Sequence, residues 1–283
     1  MRHPSIWIVS PPNYPYSQAF DEVALALSSA FRALSIDASI VRDASLLGES
    51  AVVLGSNLLP YVAVPQSTQL ILFNLEQISP NSPWLTPDYI SLLRRYPVWD
   101  YSSRNIEALA TLGIRAMLCE IGYMPELTRI PPAAEDIDVL FVGSPNPRRI
   151  AVLREIARRG ARVEAKSGIY GNARDALFAR SKLIVNIHFY ESRVFEVVRV
   201  AYLLANRKCV VSEIGSDPAY EARFAPGVAF SPYRQLPDHC LALLSDPTKR
   251  HEHERLGFER FSAQSQVDYL RRALNATAAL EAS

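Results

Sequence analysis

The chain has 283 residues, 49% of them hydrophobic, and its 30 Lys and Arg against 29 Asp and Glu leave a formal net charge of +1. That length exceeds the size at which single cores tend to split, so two domains of roughly 100–150 residues each are expected. The composition excludes a disordered or fibrous chain, and the charge balance excludes a whole-protein field for nucleic acid or an anionic membrane.

The opening "MRHPSIWIVSPPN" enters a strand almost at once, which argues against a signal peptide. No apolar run approaches the roughly 20 residues that span a bilayer, so peripheral membrane contact is the most that is expected. Strands are then expected at 5–10, 37–42, 51–56, 69–74 and 96–102, with a helix over 17–35 for which Ser17 is the expected N-cap. After "NIEALATLG" a last strand at 115–122 closes a first domain over residues 1–128.

Pro and charge content make 126–137 read as a linker, after which the alternation starts again. Strands are expected at 138–144, 162–166, 182–189 and 209–213, and helices at 148–160, 173–181 and from about 195 to 204. The fold class is therefore α/β, with two consecutive doubly wound, Rossmann-like units whose ligands belong beyond the carboxyl ends of the strands. Cys119, Cys209 and Cys240 are odd in number, far apart and without metal-ligand spacing, which points to reduced thiols and a cytoplasmic location. The five histidines form no zinc pattern, and "HEH" at 251–253 reads as a solvated helix face.

"FVGSPNPRR" sets Gly143, Arg148 and Arg149 where a strand turns into a helix, either as a phosphate site or as a tight turn before a basic face. No Gly-x-Gly-x-x-Gly or P-loop follows any strand, so a nicotinamide or flavin cofactor is not expected. Glu196 opens an otherwise apolar helix and must have a partner there. Two readings stand: a structural pair with Arg193 or Arg199, or a carboxylate facing the vicinal hydroxyls of a ribose.

"SRVFEVVRVAYLLANRKCVVSE", with "DVLFVGSPNPRR" before it and "GSDPAYEARFAPGVAFSPYRQL" after it, resembles the donor half of a GT-B glycosyltransferase, and in particular the CgeB-like group of bacterial sugar transferases. The resemblance covers residues 137–262, extends through "YPVWDYSSRNIEALATLGI" and "IGYMPEL", and matches residues 1–70 only as a Rossmann-like domain. It implies two Rossmann-like domains with a central crevice, a donor domain over 137–262, and a C-terminal helix in 263–283 that packs back on the first domain. It further implies a nucleotide sugar such as a UDP-sugar as donor, with Glu196 on the ribose, Arg193 near the diphosphate or the sugar, and Glu191 among the donor-binding residues. Gly143, Arg148 and Arg149 would sit by the phosphates, Tyr170 near the base and Lys166 near the leaving diphosphate, with neither metal nor cofactor. Retaining relatives carry a second Glu at the position that His188 occupies, so the stereochemical outcome does not carry over. His188 reads either as a satisfied structural residue or as a donor to a sugar hydroxyl or phosphate.

The first domain is expected to take the acceptor, a sugar, glycan, peptide or small molecule. Its strand ends offer "SPPNYPYSQ" (10–18), with Asn13, and "FNLEQISPNSPW" (73–84). Glu76 is the expected general base if the enzyme inverts, against a role capping the next turn or pairing with Arg95. Asp100 is the second acceptor-side residue, or part of a helix N-cap region. Two other functions fit the same pattern: a nucleotide-sugar epimerase, and a non-catalytic two-lobed protein that closes on a sugar.

Overall fold

The computed structural model describes residues 3–64, 66–79 and 82–281, and the chain forms two compact units, Met1–Glu126 with Ser265–Ser283 and Leu127–Gln264. Among the described residues each unit carries one wholly parallel sheet. No helix is long and apolar enough to cross a membrane among them.

In unit 1 the strands β1 (Ser5–Ile8), β2 (Ser39–Val41), β3 (Ser50–Leu54), β4 (Gln69–Asn74), β5 (Val98–Asp100) and β6 (Ala116–Leu118) stand in the order β2-β1-β3-β4-β5-β6. Strands covered on both faces need apolar residues on both, which is why "SAVVL" and "LILFN" are continuous apolar runs. β4 occupies the residues expected of it, β3 starts one residue before the expected 51–56 and ends two before its end, and the other strands are shorter than the runs that contain them.

The helix expected over 17–35 is broken in two: a 3-10 run at Pro15–Phe20, then α1 (Asp21–Ala33). Ser17 is not its N-cap. The hydroxyl is buried and donates to the Val9 carbonyl at 2.7 Å, so it ties the loop back to the strand it follows. α1 starts without a side-chain cap, and Asp21 and Glu22 face its positive end instead.

Two further helices follow, α2 (Pro87–Arg95), which the strand pattern does not announce, and α3 (Ser103–Thr111). Thr86 and Ser102 cap them by accepting from the Tyr89 and Asn105 amides.

In unit 2 the strands β7 (Ile137–Val142), β8 (Val163–Lys166), β9 (Ser181–Asn186), β10 (Val210–Glu213) and β11 (Val228–Ser231) stand in the order β11-β10-β9-β7-β8. The order reverses between β7 and β9, and ligands bind beyond the carboxyl ends of strands at such a point. Its helices are α4 (Pro147–Arg158), α5 (Gly171–Ala179), α6 (Val197–Ala205), α7 (Pro218–Glu221), α8 (Leu236–Ser245) and α9 (Pro247–Ser262). β11, α7, α8 and α9 are too short or too polar in pattern to stand out in sequence.

The stretch that reads as a linker is bonded into unit 2. Asn206, at the end of α6, accepts from the Arg129 and Ile130 amides at 2.9 Å each and donates to the Leu127 carbonyl. Gly227 and Gly257 meet backbone to backbone: a Cβ at Gly227 would lie 2.4 Å from the Gly257 Cα.

The chain returns to unit 1 through α10 (Gln266–Glu281), which packs on α1 and β6. Its buried residues Tyr269, Leu270, Ala273 and Thr277 recur at helical spacing, and Thr277 accepts from the Trp99 indole at 2.8 Å.

Candidate active site

The carboxyl ends of β7, β9 and β10 bring together Gly143, Arg148, Arg149, Asn186, His188, Glu196, Ser212 and Glu213. Gly143 follows β7 and donates its amide to the Lys166 carbonyl at 2.9 Å. A Cβ there would lie 3.1 Å from the Phe141 ring and 3.4 and 3.5 Å from the guanidinium groups of Arg149 and Arg199. Bare backbone is what lets two cations approach.

Asn146 caps α4 by accepting from the Arg149 amide at 2.8 Å, and this sets Arg148 and Arg149 in the first turn. The Arg149 side chain is 2% exposed. Its Nε and Nη2 donate to the Ile187 carbonyl at 2.8 and 2.6 Å, and Nη1 donates to the Ser144 carbonyl at 2.9 Å. Burial, then the neighbouring Arg199, lowers its pKa to about 10, which leaves it a cation at neutral pH.

Arg148 instead forms a two-pronged pair with buried Glu213, with Nη1 2.6 Å from Oε2, and stacks 3.9 Å over the Tyr233 ring. Glu213 also accepts from the His188 amide at 3.1 Å, so one carboxylate fixes both the arginine and the end of β9.

Glu196 lies just before α6. Its Oε2 accepts from Asn186 Nδ2 at 2.7 Å and lies 3.2 Å from His188 Nδ1, while among the described residues Oε1 has one long contact, 3.5 Å to Arg149 Nη2. Burial works against its charge, but His188 and then Arg199 and Arg149 hold its pKa below the usual carboxylate value. The structural pair expected with Arg193 or Arg199 is therefore replaced by contacts to Asn186, His188 and Arg149. Arg199 donates to Asn186 Oδ1 at 3.3 Å instead.

Arg193 and Glu191 are exposed, and Arg193 has φ +46°. The Arg193 carbonyl accepts from the Ser216 amide at 2.9 Å across Gly215, where a Cβ would lie 2.5 Å from that carbonyl oxygen and 2.3 Å from Glu221 Oε1. His188 is 1% exposed, and neither ring nitrogen makes a well-aligned hydrogen bond among the described residues, although Nδ1 lies 3.2 Å from Glu196 Oε2. Lys166 ends β8 with its ammonium 3.0 Å from Glu164, and half-buried Tyr170 precedes α5. Among the described residues no hydrogen bond or ion pair joins the side chains of Lys166, Glu191 and Arg193 to the Glu196 group.

Unit 1 holds a second polar group at the ends of β4 and β5. Asn74 Nδ2 donates to Asp100 Oδ2 at 2.6 Å and to the Glu76 carbonyl at 2.9 Å, and its Oδ1 accepts from the Tyr89 hydroxyl at 2.9 Å. Asn105 Nδ2 donates to Asp100 Oδ1 at 3.1 Å and to the same Glu76 carbonyl at 2.9 Å, while its Oδ1 accepts from the Ile78 amide at 3.0 Å. The Glu76 peptide is thus gripped from two sides. Burial pushes its carboxyl up to about 7, and no hydrogen bond or ion pair to that carboxyl is found among the described residues, neither a cap nor a pair with Arg95. Burial also pushes Asp100 up to about 8 against bonds from Asn74, Ser102, Asn105 and Tyr101. Asn13 lies on the exposed loop after β1 at φ +61°, and no hydrogen bond joins it to this group.

Asn186, Ser212, Glu213 and Asn74 belong to these polar groups and are not singled out by motif reasoning. Their signal is a polar residue closing an apolar strand run, as in "KLIVN", "CVVSE" and "QLILFN".

No family model matches the chain. It is 27% identical over 188 residues to uncharacterized protein L140 of Acanthamoeba polyphaga mimivirus, covering 62% of this chain and 59% of that protein. The chain spans 13% of a second mimivirus protein, L138, at 30% identity over 118 residues. Among solved structures it is similar to Anabaena HepE in complex with UDP and glucose, with TM-score 0.63, 11% identity, and 99% and 100% of the two chains covered. AviGT4, a glycosyltransferase involved in avilamycin A biosynthesis, matches with TM-score 0.60 and 13% identity over 96% of this chain and 98% of that one. T4 phage BGT in complex with UDP and Mn2+ matches with TM-score 0.58 and 13% identity over 96% and 99%. The fold of the chain, two parallel α/β sheets of six and five strands, is that of the GT-B glycosyltransferases.

Proposed function

We propose that the chain is a glycosyltransferase of the CgeB-like group that moves a sugar from a nucleoside diphosphate sugar, a UDP-sugar, to a hydroxyl of an acceptor in the cytoplasm. Unit 2 binds the donor and unit 1 the acceptor. The observation that carries the reading is Glu196 at the switch point of β7 and β9: one carboxylate oxygen is taken by Asn186 with His188 beside it, and the other has a single long contact among the described residues.

Such an oxygen suits the ribose hydroxyls, and a charged acceptor makes hydrogen bonds roughly twice as strong as a neutral one. Arg149, Arg148 and the amino end of α4 suit the diphosphate. In the transfer the acceptor oxygen bonds to the anomeric carbon as the bond from that carbon to the diphosphate oxygen breaks, and the diphosphate leaves with the electron pair. Positive side chains and helix ends stabilise that leaving group, without a metal ion. Glu76 takes the proton of the attacking hydroxyl in a single displacement at the anomeric carbon, which inverts its configuration. Its gripped peptide and its pKa of about 7 support that role.

The test is calorimetric titration with UDP, with and without EDTA, followed by incubation with UDP-sugars and an acceptor panel and NMR of the product anomer. Binding that persists in EDTA, with sugar transfer on adding acceptor, is the expected result. UDP binding that is lost in EDTA and restored by manganese overturns metal independence. Conversion of the UDP-sugar with no acceptor makes the protein an epimerase.

A further inference from the structure

Asn186 closes β9 as a buried amide, and among the described residues its side-chain hydrogen bonds lead to the Glu196 group. Nδ2 donates to Glu196 Oε2 at 2.7 Å and to Ser212 Oγ at 3.1 Å, and Oδ1 accepts from Arg199 Nη1 at 3.3 Å. Ser212, on the neighbouring strand, donates onward to the Glu213 carbonyl at 3.0 Å. A tie between β9 and β10 is not what the amide is needed for. Those strands already pair in register, Asn186 opposite Ser212.

Arg199 stands three residues after Glu196 at the start of α6, the spacing at which a carboxylate and a guanidinium pair on a helix. No ion pair joins them among the described residues; Glu196 stands before the helix, and Asn186 presents its oxygen to the arginine and its amino group to the carboxylate. The amide thereby fixes one carboxylate oxygen and keeps Arg199 from taking the other.

We propose that Asn186, anchored by Ser212, is a positioning residue that holds Glu196 with Oε1 open to the ribose, and so makes the site select ribonucleotides over 2′-deoxyribonucleotides. The proposal rests on the ribose reading of Glu196. Loss of one hydrogen bond to a charged group corresponds to about a ten- to hundredfold change in affinity. With Asn186 removed, Arg199 closes on Glu196, and the 2′-hydroxyl no longer finds a charged acceptor held in place.

The experiment is calorimetric titration of UDP and 2′-deoxy-UDP into the full chain, its Asn186→Leu variant and its Ser212→Ala variant, with melting curves for all three. The unaltered chain is expected to bind 2′-deoxy-UDP at least about tenfold more weakly than UDP. In Asn186→Leu the two affinities should converge to within about threefold, with Ser212→Ala between. A purely structural amide would lower the melting temperature or both affinities together and leave their ratio alone. That result overturns the inference while the ribose reading stands. Equal affinities in the unaltered chain, or no UDP binding, remove the ribose reading and the inference with it. If Asn186→Leu fails to fold, an unchanged ratio in Ser212→Ala overturns the proposal and a reduced ratio supports it.

Discussion

Replacing Glu76 with Gln should raise stability and abolish activity. The carboxyl titrates at about 7 in the folded chain against an ordinary value of 4.5, and burial is the cause. Between those values the folded chain binds more protons than the unfolded one, so stability falls as pH rises through this window. At 1.36 kcal/mol per unit, and discounted because the carboxyl is partly exposed, ionised Glu76 costs about 1–3 kcal/mol above pH 7. Gln keeps the volume and removes the charge. Calorimetric melting at pH 8 should therefore show Glu76→Gln melting roughly 2–8 °C above the unaltered chain, and the gap should close at pH 4. UDP release with acceptor should fall about a hundred- to ten-thousandfold, the usual loss for a general base. In the unaltered chain kcat/KM should decline below pH 7, where Glu76 holds its proton. A variant that melts lower at pH 8 would mean that the charged form has a partner, and one that keeps its activity would remove Glu76 from the chemistry.

Glu196→Gln should lower UDP affinity about ten- to a hundredfold by calorimetry. It should cost only about 1–2 kcal/mol of stability, because Arg149 keeps its bonds to the Ile187 and Ser144 carbonyls. A large drop in melting temperature with unchanged affinity would make Glu196 structural. Gly227→Ala should destabilise by about 1–3 kcal/mol, because its Cβ would meet Gly257 backbone at 2.4 Å. Gly257→Ala should be milder in the same melts: its nearest obstacle, at 2.9 Å, is the movable end of Leu204, and Ala is the better helix former in α9.

The sheets were legible because a parallel strand covered on both faces must be apolar throughout, and "QLILFN" or "KLIVN" can be little else. The ends of those runs carried more than the pattern discloses. Asn74 and Asn186 each close an apolar run, and each proves to be the amide that grips an acidic neighbour. Glu196 was legible as a carboxylate that needed a partner, but its neighbours Asn186 and His188, at and just after the end of β9, and Arg149 on α4 lie 8 to 47 residues away in sequence. Such distances are set by sheet order and not by local spacing. Ser17 misled for a similar reason: a serine ahead of an amphipathic stretch looks like a cap, and only the path of the loop shows that its hydroxyl is committed to Val9.

The return of α10 to the first unit has a consequence for synthesis. Unit 2 is one unbroken segment, Leu127–Gln264, whereas unit 1 needs Ser265–Ser283 to cover α1 and β6 and to meet the Trp99 indole. On the ribosome, where domains generally fold as they emerge, the part of unit 1 made before unit 2 waits for a segment made after it. Until α10 is released, the nascent chain carries a completed second unit and a first one with an apolar flank open to chaperones.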